Sequence, residues 1–147
     1  MRAFVLLLVF GLAACGGEPR EPVAAPPVDM TQVLADAAAD GRNVLIEYTS
    51  ESCNFCEQMD SETHTDAAVK AALQDVVYVR LHQDRNAEWF EDRWDGMGTP
   101  TFVVLKPDGT QIGKSLTGVI KAPDFVRFVD WAKSGDGEPP AIKPGGS

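Results

Sequence analysis

Two cysteines, Cys53 and Cys56, stand three apart in the stretch Ser50-Glu51-Ser52-Cys53-Asn54-Phe55-Cys56-Glu57. Thiols at this spacing can cycle between dithiol and disulfide, supply half of a metal site, or form a structural crosslink. A crosslink closing so short a loop stabilises little. A structural zinc asks for four ligands, yet only His64 and His82 remain to help, with no second C-x-x-C and no histidines at paired spacing. Each histidine reads as a surface or loop residue. Redox chemistry needs one accessible sulfur whose negative charge is stabilised, because the thiolate is the attacking species. A helix opening at Cys53 aims its free N–H groups at that sulfur and sets Cys56 one turn inside. On that reading Cys53 is the nucleophile and Cys56 the resolving thiol.

The chain begins MRAFVLLLVFGLAACGG, with Arg2 as a positive end, an apolar run from Phe4 to Leu12, and small residues before Cys15. This is the pattern of an export signal, too short to span a bilayer. Leu12-Ala13-Ala14-Cys15 resembles the lipobox of bacterial lipoproteins, which implies cleavage after Ala14 and acylation of Cys15. Several acyl chains at ~0.8 kcal/mol per buried CH₂ anchor a protein to a membrane. Gly16 stands where some bacteria use aspartate to retain lipoproteins at the inner membrane, so the outer membrane, facing the periplasm, is the expected address. With Cys15 lipidated, Cys53 and Cys56 are the remaining thiols, in a compartment that oxidises such pairs.

The organisation expected is a signal peptide over 1–14, a Pro- and Glu-rich tether over 15–28, a folded domain over 29–133 and a disordered tail over 134–147. A formal charge of -9 excludes a nucleic-acid surface, which needs clustered Lys and Arg. Protein partners fit better, and a monomer is expected.

The elements that must hold the cysteines follow from periodicity. Met30, Val33, Leu34, Ala37 and Ala38 share one helical face, with Asp29 or Thr31 at its start and Gly41 at its end. Val44 to Thr49 is a buried strand. A helix opens at the C-x-x-C, breaks between Ser61 and Thr65, and resumes at Asp66, because Val69, Ala72 and Leu73 share a face. Val76 to Leu81 is the next strand and Asn86 to Trp94 a short helix, whose Trp89, Phe90 and Trp94 pack it onto the sheet. Thr101 to Leu105 and Thr110 to Ser115 form a hairpin around Lys106-Pro107-Asp108-Gly109. A last helix starts at Pro123 and buries Phe125, Phe128, Val129 and Ala132. This alternation predicts an α/β fold, a mixed sheet with helices on both faces.

A strand before the C-x-x-C, a helix after it, and Thr99-Pro100-Thr101 leading into an apolar strand together resemble the thioredoxin-like superfamily. The resemblance runs from Asp29 to Lys133 and rests on VLIEYTSESCNFC, RLHQD, GTPTFVVLKPDGT and LTG. It implies a thioredoxin fold and a thiol-disulfide oxidoreductase of the exported lipoprotein kind, with no cofactor beyond the Cys53–Cys56 pair. Its implied partners are protein disulfides and a thiol redox partner. Pro100 sits where the family has a cis-proline against the active-site disulfide, leaving the Thr99 backbone to pair with a substrate strand. Gly118 matches the glycine that keeps the substrate groove open. Glu47, six residues before Cys53, matches a buried acid; a lone carboxylate in a buried strand is expensive to ionise, which suits a group that takes a proton from Cys56. Arg80 stands where the family often pairs a lysine with that acid.

Departures from the family pattern also inform the chemistry. Ser52 replaces the usual Trp before the first cysteine, with Phe55 as a partial substitute, and Glu57 replaces a basic residue after the second. Glu51, Glu57 and Asp60 bring negative charge that disfavours a thiolate, and Asn54-Phe55 lacks the histidine of strongly oxidising relatives, so a reductase is expected. Two other classes remain open: a copper-binding or metallochaperone lipoprotein using Cys53, Cys56 and His64 or His82, and a non-catalytic interaction module of the same fold.

Overall fold

In a computed structural model, residues 26–145 are described. The signal segment, Cys15 and most of the tether lie outside the described residues. Asp29 caps the first helix, α1 (Met30–Asp40), by accepting from the backbone of Thr31 and Gln32, and Gly41 closes it in the left-handed conformation at φ 64°. Strand β1 (Val44–Thr49) is buried along its whole length. Helix α2 (Asn54–Gln58) continues into a π-helical turn over Met59–Thr63, and Asp66 then caps α3 (Ala67–Ala72). Strand β2 (Val77–His82) follows, then α4 (Gln83–Glu91), β3 (Thr101–Leu105), β4 (Gln111–Thr117) and α5 (Ala122–Ser134).

The four strands lie in the order β2-β1-β3-β4, with β1 parallel to β2 and antiparallel to β3. Side-chain alternation sorts the two interior strands onto two faces. Val44, Ile46 and Tyr48 of β1 join Val103 and Leu105 of β3 in a core closed by Met30 and Ala37 of α1 and Phe90 of α4. Leu45, Phe102 and Val104 point the other way, into a core closed by Val69 of α3 and by Phe125, Phe128 and Val129 of α5. This is the mixed sheet with helices on both faces that the pattern predicts. Trp89 and Trp94 pack partly buried against the first core, as expected. Glu47 takes the same parity as Leu45 and therefore faces the second, aromatic core.

Three boundaries differ from expectation. The helix expected at Asn86 begins at Gln83, directly after β2, and β4 runs on to Thr117. The tail does not behave as a disordered segment within the described residues. Gly135 closes α5, Ile142 packs on the aromatic core, and Gly145 exchanges backbone hydrogen bonds of 3.0 and 2.7 Å with Val119. Composition masked this, because the Pro- and Gly-rich stretch gains one apolar anchor and two ladder bonds without forming an element of its own. Among the described residues no helix is long and apolar enough to cross a membrane.

Candidate active site

Strand β1 delivers the chain to Cys53, which caps α2: its extended backbone, φ -128°, lets Sγ accept the Cys56 N–H at 3.1 Å. The two cysteines are joined as a disulfide, with Cα atoms 5.2 Å apart. Cys53 is 8% exposed and Cys56 3%, so the disulfide is mostly covered and its outer edge is Cys53. The Cys53 sulfur lies 3.3 Å from the Thr99 carbonyl oxygen, a carbonyl that accepts from a thiol when the pair is reduced.

Thr99 precedes a cis peptide bond to Pro100, as the resemblance implies. The loop around it is fixed from three sides. The hydroxyls of Ser50 and Thr99 lie 3.3 Å apart; buried Thr101 donates to the Gly98 carbonyl at 2.6 Å; and the Gly118 N–H donates to the Pro100 carbonyl at 2.9 Å. Gly118 does so at φ 111°, a conformation a side-chain-bearing residue rarely adopts. Cys53, Thr99, Pro100 and Gly118 are therefore joined in one connected network beside the disulfide, although they come from three separate stretches of chain.

Glu47 is fully buried. It is not alone: Tyr78 donates its hydroxyl to Oε2, His64 Nε2 lies 2.8 Å from the same oxygen, and the Arg80 guanidinium is 3.4 Å from Oε1. The last two contacts are off the hydrogen-bond direction, since Glu47 Oε1 and His64 Nε2 have no aligned partner. Arg80 sits opposite Glu47 in the β1–β2 register and reaches onward to Asp60 at 3.0 Å. Burial drives the Tyr78 phenol strongly upward from its ordinary value, helped by the nearby Glu47 charge and its hydrogen bond, so Tyr78 stays a donor. For Arg80, burial acts downward, but Glu47, Tyr78 and Asp60 outweigh it and hold the guanidinium above its usual range.

This network corrects two expectations. His64 is no surface residue: only 15% of its side chain is exposed, and its ring meets Phe125 edge-on at 5.5 Å. Asp60 is partnered by Arg80, which leaves exposed Glu51 and Glu57 as the acids flanking the cysteines, where salt screens them. For the metal reading, Glu47, Asp60 and His64 are the one three-ligand cluster among the described residues, and neither histidine joins the cysteines in one.

A family model described as a thioredoxin-like domain matches residues 30–133. The chain belongs to the thioredoxin-like family. It is 30% identical over 103 residues to the thiol:disulfide interchange protein DsbD of Ralstonia nicotianae, covering 67% of this chain and 17% of that one. With DsbD 2 of Pseudomonas aeruginosa it shares 32% over 104 residues, 68% of this chain and 18% of the relative. The chain thus spans less than a fifth of the length of these curated relatives. Among solved structures, a thioredoxin from Thermus thermophilus superposes with TM-score 0.59 at 30% identity, over 68% of this chain and 80% of that one. The reduced C-terminal domain of Neisseria meningitidis DsbD superposes with TM-score 0.60 at 16% identity, over 71% and 94%, a likeness of fold.

In this thioredoxin-like domain the residues that spacing could not find are Tyr78 and His64. Tyr78 carried a usable signal, since alternation along β2 sets it on the same face as Arg80, two residues on. His64 carried none, because the π-helical turn before it adds an extra residue per turn and shifts the helical phase.

Proposed function

We propose that this protein is an exported, lipid-anchored thiol-disulfide oxidoreductase that reduces protein disulfides through Cys53 and Cys56, carrying its electrons in that pair without a bound cofactor. The observation that carries the reading is the Cys53–Cys56 disulfide at a helix start, its outer sulfur 3.3 Å from the Thr99 carbonyl beside Pro100. The names of the DsbD relatives, thiol:disulfide interchange proteins, support the same chemistry.

The reduced protein attacks with the Cys53 thiolate. A bond forms from Cys53 to one substrate sulfur, the substrate disulfide breaks, and its other sulfur leaves with the electron pair. Thr99 and the loop held by Pro100 and Gly118 align the substrate backbone beside Cys53. Cys56 then gives its proton to Glu47 and attacks Cys53, releasing the second substrate thiolate and regenerating the disulfide. A thiol redox partner restores the dithiol. Exposed Glu51 and Glu57, and the absence of histidine between the cysteines, favour this reducing direction.

Equilibrating the purified protein with thiol redox buffers is expected to give one reversible two-electron transition, and Cys56→Ser to accumulate mixed disulfides with partner proteins through Cys53. Absence of both sinks the proposal.

A further inference from the structure

His64 has no part in the sulfur chemistry above, yet it touches the buried acid. His64 Nε2 lies 2.8 Å from Glu47 Oε2 and has no aligned hydrogen-bond partner of its own, so it is an open acceptor within reach of a proton on that carboxyl. Glu47 itself has no exposed surface and must exchange protons through a neighbour. The groups that face it can be taken one by one. Tyr78 keeps its proton, and Arg80 is effectively always charged. Asp60 brings a carboxylate oxygen within 4.8 Å of both Glu47 and His64, but its own polar contacts go to the Arg80 guanidinium and not to Glu47. From α5, the neighbour of the imidazole is the apolar Phe125. His64 alone combines contact with Glu47, residual exposure, and two ring nitrogens that can take a proton on one side and give one up on the other. A metal ion is a poorer occupant of this cluster, because the Arg80 guanidinium already lies between Glu47 and Asp60 with a fixed positive charge.

We propose that His64 is the positioning and proton-relay residue through which Glu47 exchanges its proton with water as the mixed disulfide resolves. The inference rests on the oxidoreductase reading above. His64 follows Cys56 by eight residues, about 12 Å along a helical path, so it acts through Glu47 and not on the sulfur. The Cys56 proton passes to Glu47, and the electron pair left on that sulfur forms the bond to Cys53. Glu47 then passes a proton from Oε2 to the open Nε2 while Nδ1 releases one to water, and proton exchange with water returns the imidazole to its starting tautomer before the next cycle. The departing substrate thiolate takes a proton from water, so charge and protons balance.

The test is rapid-quench kinetics of the purified protein with a disulfide peptide, separating mixed-disulfide formation from resolution across pH. His64→Gln is expected to slow resolution about 10-fold, less than the ~10² of a general acid or base itself. Mixed-disulfide formation and the equilibrium potential should stay unchanged, and added imidazole should restore the rate. Resolution at the wild-type rate and pH profile, with the potential intact, overturns the relay while leaving the oxidoreductase reading standing. A wild-type protein with no reversible potential overturns the reading itself. If His64→Gln does not fold, the wild-type protein still decides: the relay requires a solvent deuterium isotope effect on resolution, and its absence overturns it.

Discussion

Phe55 lies between the two cysteines and is 41% exposed, the large apolar side chain left uncovered among the described residues. A substrate cysteine bonded to Cys53 has its Cα within ~7 Å of that of Cys53, so its neighbours fall against this ring. Covering the remaining exposed part of a Phe yields about 1 kcal/mol, roughly fivefold in affinity. Phe55→Ser is therefore expected to raise KM for apolar disulfide peptides about fivefold with kcat unchanged; equal loss for polar and apolar peptides would count against it. A second residue-scale test concerns Tyr78→Phe, which strips one donor from a buried carboxylate and should cost about 1–3 kcal/mol in urea unfolding. No loss would mean that Glu47 does not depend on that hydroxyl. The parts of the site readable beforehand, Cys53, Cys56, Glu47 and Thr99-Pro100, are those whose meaning lies in local spacing or in one tripeptide. His64 and Tyr78 become functional only when α2, its π turn and β2 converge on one carboxylate. No single window of sequence contains that meeting.

At the scale of elements, the sheet was legible because the two interior strands, β1 and β3, are mostly apolar on both faces, with Glu47 and Thr101 among the exceptions. The main helices were legible because they carry an apolar stripe with a cap at one end or the other. Asp29 and Asp66 cap as acids before helices should, and Gly41 and Gly135 end helices in the left-handed conformation. These two glycines separate backbone cost from packing cost. Both sit at φ 64°, but a Cβ at Gly41 meets nothing within 4 Å, whereas at Gly135 it lies 2.6 Å from Ile112 Cδ1 and 3.2 Å from Asn43 Nδ2. Asn43 donates from that nitrogen to the carbonyls of Ala132 and Lys133, so displacing it uncaps α5. Gly41→Ala should cost about 1–2 kcal/mol, the left-handed penalty alone, and Gly135→Ala about 1 kcal/mol more for the disturbed hydrogen bonds. Equal urea midpoints for the two variants would show that the α5 end and the tail beyond it adapt freely. The tail was illegible for the opposite reason, since its attachment through Ile142 and Gly145 depends on surface created by β4, α5 and the loop after β4.

For the whole molecule, both tyrosines of the chain report on its integrity at high pH, one from each core. The Tyr48 ring is fully covered and stacks on Phe90 at 3.9 Å, while its hydroxyl donates to Glu91 at 2.9 Å. Burial, then the hydrogen bond and charge of Glu91, push its phenol up to about 12. Tyr78, on the opposite face, is pushed up by burial and by Glu47. A phenol raised in the folded state keeps its proton where the unfolded chain has lost it. Its contribution is therefore whole below pH ~10, the unfolded value, and drains away as pH climbs toward the folded value. Each tyrosine removes about 1.4 kcal/mol of stability per pH unit over that range. With a typical total of ~5–15 kcal/mol, two such groups exhaust a large share of it within two units. Tyrosinate absorbance should thus stay absent at pH 10 in the native protein and emerge together with the loss of near-ultraviolet circular dichroism at higher pH. Two independent titrations near pH 10, with the dichroism intact, would show that these hydroxyls are open to water and that the packing on both faces of the sheet is looser than described.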